Sequence, residues 1–177
     1  MMIIYGFILS FILVLVDQIS KYVIFNTIGL NNPIPVIDNV FQLRGVFNTG
    51  AAFSILDEHS FILVIISIVA FLAITYFMKD CNFKRRPLYS IALILIYSGT
   101  IGNMIDRIFN SYKVFDFIEV LFMDFAIFNI ADSYLTIGVI LLAIYLLFFE
   151  AKDPISLKFN KEEVFGKKNK VEEEINE

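Results

Sequence analysis

The sequence predicts an all-α membrane protein: four transmembrane helices joined to a small extracytoplasmic segment of short strands. Three observations carry that expectation. Of 177 residues, 58% are hydrophobic and only 18% charged, which is too little charge for a soluble domain of this size. Four apolar runs, near residues 2–24, 60–78, 88–108 and 131–149, each approach the roughly 20 residues that a helix needs to cross a bilayer. The basic residues between those runs cluster on alternate connections, as the positive-inside rule requires of a multi-pass chain.

The first run, 2–24, lacks a basic leading region and a small-residue cleavage site, and it carries Asp17 and Lys21. It reads as a retained span, not a cleaved leader. The segment 25–59 contains "PVIDNVFQLRGVFNTGAAF", where apolar and polar residues partly alternate until Gly45 and Gly50 interrupt the pattern. That predicts short strands lying against the outer membrane surface. The loop after the second span, "KDCNFKRRP", holds Lys79, Lys84, Arg85 and Arg86. Beyond the fourth span, residues 151–177 hold six lysines and seven acids with little pattern, as expected of a charged, disordered cytoplasmic tail. The chain therefore divides into a four-span unit, 1–150, and that tail. The 79–87 loop and both termini are expected in the cytoplasm, and segments 25–59 and 109–130 on the opposite face.

Composition also removes several functions. No basic face points to nucleic acid. One His (His59) and one Cys (Cys81) argue against a His/Cys zinc site, no HExxH stretch occurs, and neither metal nor cofactor is expected. The halves show no internal repeat, which weakens a transporter reading.

The polar residues of the spans fall at one depth. Asp17 and Lys21 lie four residues apart on one helix face. Asn103, Asp106 and Arg107 share a face at the outer end of span three. Asp132 opens span four behind Asn129, and Asp116 lies in the outer loop. Ionisable groups at such positions are costly and usually face an interior site. Asp17–Lys21 and Asp106–Arg107 could equally be ion pairs that only lock helices together. Asp116 and Asp132 have no basic residue left over. Two neighbouring carboxylates in a low-dielectric site share one proton. The ionised member can then activate water while the protonated member donates to a carbonyl oxygen, which is the chemistry of an aspartic protease.

At these residues the chain resembles the bacterial lipoprotein signal peptidases (signal peptidase II). Five motifs appear in order across residues 10–148: "DQISK" with Asp17, Gln18 and Lys21; "NTGAAF" with Asn48, Gly50, Ala51, Ala52 and Phe53; "SGTIGNMIDR" with Gly99, Gly102, Asn103, Asp106 and Arg107; "VFDFI"; and "FNIADS" with Phe128, Asn129, Ala131, Asp132 and Ser133. The resemblance implies a β-cradle over a four-helix bundle, with Asp116 and Asp132 as the catalytic pair. Its implied substrate is a prolipoprotein already carrying a diacylglyceryl group on its cysteine, cleaved just before that cysteine. Membrane lipids are the implied surroundings, globomycin the implied inhibitor and a monomer the implied state. By the same resemblance Asn48, Asn103 and Arg107 would hold substrate carbonyls, and Asn103 and Asn129 would orient the carboxylates. Asp17 and Lys21 would fix helix packing and the placement of the outer segment, Gly99, Gly102, Ala51 and Ala131 would let backbones and a peptide approach closely, and Gly50 would support the site. Glu119 and Asp124 fall outside the motifs and are expected to be solvated loop acids.

The departures are few. Ser98 replaces a glycine of the third motif, and only sixteen residues separate Asp116 from Asp132. A serine–lysine protease built on Lys21 with Ser20, Ser98 or Ser133 is the rival enzyme. It leaves both aspartates unexplained, and Ser20, adjacent to Lys21 in a helix, faces elsewhere. A proton-coupled transporter would want its acids nearer the bilayer centre.

Overall fold

The structure is a computed structural model that describes residues 2–50 and 60–149. Four long helices, α1 (Met2–Ile28), α2 (Ser60–Phe77), α3 (Pro87–Phe109) and α4 (Ile130–Phe148), alternate with three strands, β1 (Ile34–Ile37), β2 (Phe41–Asn48) and β3 (Val114–Val120). All four helices are long and apolar enough to cross a membrane, α2 together with a following single turn, Met78–Asp80. Their apolar side chains point outward along α1, α2 and α4: Phe11, Tyr22, Val69, Leu72 and Leu147 are all more than 60% exposed. Water would not tolerate so continuous an apolar surface, whereas lipid does. The protein is therefore a multi-pass membrane protein.

One helix forms the axis. Of its most apolar stretch, α3 buries 61%, against 11–22% for the other three helices. It packs on each of them, most extensively on α4. Small residues allow that approach. A Cβ on Gly102 would stand 2.6 Å from Asp17 Oδ2 and 3.1 Å from the Ala131 Cβ, and one on Gly99 would strike the Ala131 carbonyl. We expect Gly102→Ala to destabilise the bundle by about 1–3 kcal/mol, the usual range for overpacking, read as a lower thermal midpoint in detergent. At the end of the bundle away from the strands, Met78, Cys81, Tyr89, Leu93, Ile94 and Tyr145 close the core.

The strands form one antiparallel sheet in the order β1-β2-β3 at the other end of the bundle. The first helix runs four residues beyond the expected 2–24, and within that last turn Asn26 and Thr27 donate from their side chains to the carbonyls of Tyr22 and Val23. It stops at Gly29, whose φ of +72° suits a residue without Cβ. The strands expected in 25–59 are β1 and β2, and residues 51–59, including Ala51, Ala52 and Phe53, lie outside the described residues. The third strand falls where an outer loop was expected, so Asp116 belongs to a sheet. Val46 pairs with Asp116 and Leu43 with Ile118, and the extra residue between them makes a bulge at Arg44–Gly45. Bulges re-aim side chains beside functional sites. Glu119 also departs from expectation: it is half-buried, accepts from Gln42 Nε2 at 2.6 Å and pairs with Arg44 Nη1 at 2.9 Å across the sheet. Asp124 is exposed, as expected.

Candidate active site

Asp116 enters from β3 and Asp132 from the first turn of α4, and asparagine amides hold both. Asn129 Nδ2 donates to Asp116 Oδ1 at 2.6 Å, and Asn48 Nδ2 to Asp116 Oδ2 at 2.9 Å. Asn103 Nδ2 donates to Asp132 Oδ1 at 2.7 Å, and the backbone amide of Asn129 to Oδ2 at 3.1 Å. Asn129 also accepts from the Asp132 amide at 2.9 Å, which completes a capping box at the start of α4. The local sequence thus explains the position of Asp132: the residue that caps α4 also touches both carboxylates. Among the described residues neither aspartate has a basic partner at ion-pair distance.

Asn103, expected both to hold substrate carbonyls and to orient the carboxylates, donates to Asp132, and Asn48, expected to hold substrate carbonyls, donates to Asp116. Arg107 retains free donors. Among the described residues its Nε has no partner, and its Nη1 lies 3.5 Å from the Asn103 carbonyl. It lines a cavity of about 550 Å³ together with Asn48, Gly50, Phe128, Asp132 and Leu135. Asp132 faces this cavity directly, and Asp116, 1% exposed, stands one hydrogen bond behind its wall through Asn48.

Asp17, Lys21 and Asp106 form a buried ionic cluster behind the pair. Lys21 Nζ lies 2.9 Å from Asp17 Oδ2 and 3.0 Å from Asp106 Oδ2, so the alternative Asp106–Arg107 pairing is not formed. Lys21 also donates to Asn103 Oδ1 at 3.1 Å, and Asn129 Nδ2 donates to the same oxygen at 3.0 Å. Gly102 and Ala131 provide the close helix contact on which the cluster rests. The sequence reading gave Gln18 no role. Its Nε2 lies 3.1 Å from each of Asp17 Oδ2, Asp106 Oδ1 and the Gly102 carbonyl. The serine–lysine rival finds no geometry here. Ser20 donates to the Asp17 carbonyl, Ser98 is fully buried against the Ile94 carbonyl, Ser133 donates to the Asn129 carbonyl, and Lys21 is held by two carboxylates.

Burial pushes the Asp116 carboxyl from its ordinary 3.8 up to about 7, and the nearby Asp132 charge adds to the rise; the amides of Asn48 and Asn129 and the Lys21 charge oppose it. Between 3.8 and about 7 the folded protein therefore keeps a proton that the unfolded chain has released. Stability present below that window falls as pH rises through it. Thermal midpoints measured across this range are expected to decline more steeply for wild type than for Asp116→Asn. Cleavage should likewise fall above about pH 7, as the coupled pair loses its last proton.

A bundle of membrane-length helices with two unneutralised carboxylates beside a cavity at one end defines the class of membrane-embedded aspartic peptidases. Within it the chain belongs to the signal peptidase II family: the family model described as signal peptidase (SPase) II matches residues 9–148. The lipoprotein signal peptidase of Streptococcus pyogenes serotype M2 (strain MGAS10270) is 45% identical over 144 residues, 79% of this chain and 91% of that protein. That of Streptococcus thermophilus (strain CNRZ 1066) is 43% identical over 130 residues, 73% of this chain and 84% of that protein. A bacterial membrane enzyme solved by the in meso method at 2.3 Å resolution superposes with a TM-score of 0.75 at 34% identity, covering 87% of this chain and 93% of that one.

Proposed function

We propose that this chain is a membrane aspartic endopeptidase that removes signal peptides from diacylglyceryl-modified prolipoproteins, cleaving immediately before the lipidated cysteine. The observation that carries the reading is the pair of buried Asp116 and half-buried Asp132, without a basic partner among the described residues and oriented by Asn48, Asn103 and Asn129. One proton is shared between them. The ionised member takes a proton from water as it attacks the scissile carbonyl, and the protonated member donates to the carbonyl oxygen. Free donors on Arg107 suit the substrate's peptide carbonyls.

The positive-inside rule supports the orientation. Lys79, Lys84, Arg85 and Arg86 sit at the end of the bundle opposite the sheet, which favours cytoplasmic termini and a site near the extracytoplasmic face. Residues 1–150 form the peptidase unit, acting as a monomer, and 151–177 a cytoplasmic tail. The apolar wall of the cavity, with Leu135 and the half-exposed Ile137 on α4, suits a substrate that arrives from within the bilayer bearing acyl chains. Globomycin, the inhibitor implied by the family resemblance, would compete there.

The test uses purified protein in detergent, with one prolipoprotein in diacylglyceryl-modified and unmodified forms and cleavage followed by gel shift. Cleavage of the modified form alone, blocked by globomycin, is the expected result. Equal cleavage of both forms would remove the lipid requirement, and no cleavage of either would remove the proposed activity.

A further inference from the structure

We propose that Gln18 and Lys21 act as one positioning clamp that sets the separation of Asp116 and Asp132. The inference rests on the reading of those two aspartates as the catalytic pair.

The geometry is paired. Asp17 Oδ1 accepts from the backbone amide of Ala131 at 2.9 Å, and Ala131 directly precedes Asp132. Asp106 Oδ2 accepts from the amide of Phe115 at 3.1 Å, and Phe115 directly precedes Asp116. Each anchoring carboxylate therefore holds the peptide unit next to one catalytic carboxylate. The first of these amides lies in the opening turn of α4, where backbone donors lack a helical partner and an anion is favoured.

The two anchors belong to different helices, α1 and α3, yet both are held by the same two side chains of α1. Lys21 Nζ reaches them at 2.9 and 3.0 Å, and Gln18 Nε2 reaches both at 3.1 Å. The path from one catalyst to the other runs through a peptide unit, an anchor, the clamp, the second anchor and a second peptide unit. A pair that only locked helices together would have no need to set carboxylate oxygens against those two amides. Lys21 adds a shorter link by donating to the Asn103 oxygen shared with Asn129.

The test measures steady-state cleavage of a diacylglyceryl-modified prolipoprotein by the full chain carrying Gln18→Leu, Lys21→Arg or Asp116→Asn, with thermal midpoints recorded for each. Gln18→Leu leaves both ion pairs in place, and Lys21→Arg keeps the charge but alters its reach. A loss of precise placement of the reacting groups costs rate, so kcat should fall about 10- to 100-fold in both variants, with KM within about twofold of wild type and the midpoint little changed. The clamp is refuted if kcat is unchanged in either folded variant, or if it falls only in step with the folded fraction. Should one variant not fold, the other decides. An inactive Asp116→Asn beside unaltered clamp variants would overturn the clamp alone, whereas an active Asp116→Asn would overturn the catalytic-pair reading beneath it.

Discussion

Asp116→Asn and Asp132→Asn are each expected to abolish cleavage of the lipidated precursor, with a fall of about a thousandfold or more, in the upper range for a positioned acid or base. An amide neither accepts the proton of the attacking water nor donates one to the carbonyl oxygen. Each carboxylate here accepts two hydrogen bonds, and an asparagine can satisfy only one of them as acceptor. The variants should nevertheless fold, because losing one such bond costs about 1–3 kcal/mol. Groups that act as a unit give strongly non-additive losses, so the double variant should be no slower than the worse single one. Gel-shift cleavage alongside a thermal melt decides. A folded variant that keeps a tenth of wild-type turnover would show that its aspartate is not one of the pair.

The largest stability effect is expected at Lys21→Met. Its ammonium lies between Asp17 and Asp106, which are 0% and 4% exposed. Removing it leaves two buried carboxylates facing one another without a cation, at a cost of about 3–5 kcal/mol for an ion pair broken on one side. That is a large share of what holds a domain together, so the variant should accumulate poorly or melt far below wild type. Adding Asp106→Asn should recover part of the loss, since it removes one of the stranded charges while retaining an acceptor for the Phe115 amide. An unchanged midpoint for Lys21→Met would show that the ionic cluster contributes nothing to the fold.

The spans were legible because the bilayer imposes one simple demand, a run of apolar residues of fixed length. The helix ends were less so: α1 continues through the polar Asn26 and Thr27, which lower the hydropathy without ending the helix. β3 was hidden for a different reason. Val114 to Phe117 are buried on both faces, so the two-residue alternation that marks a half-exposed strand is missing. The candidate residues were recoverable from motif and depth, but their partners were not. Asn48, expected to meet substrate, also meets Asp116, because the β2–β3 register sets its direction. Lys21 pairs with Asp106 from another helix as well as with Asp17 from its own, and sequence spacing reports only the latter. Gln18 was passed over because an amide beside a charged residue has no distinctive pattern until the third helix is packed against it.

The chain between Asp116 and Asp132 is closed at its neck. Phe117 and Ile118 both donate to the Phe128 carbonyl, at 3.1 and 2.8 Å, and Phe128 donates back to Ile118 at 3.1 Å. Both aspartates lie outside that neck, while Leu121, Phe122 and Met123 at the tip are exposed. Lengthening or shortening the tip therefore does not pull on either aspartate, and each doubling of a flexible loop costs only about 0.6 kcal/mol in closure entropy. The short interval between the two aspartates is thus no constraint on the chemistry. In engineering terms an affinity tag or a reporter could be grafted between Phe122 and Met123 while the neck keeps the hydrolytic pair in register.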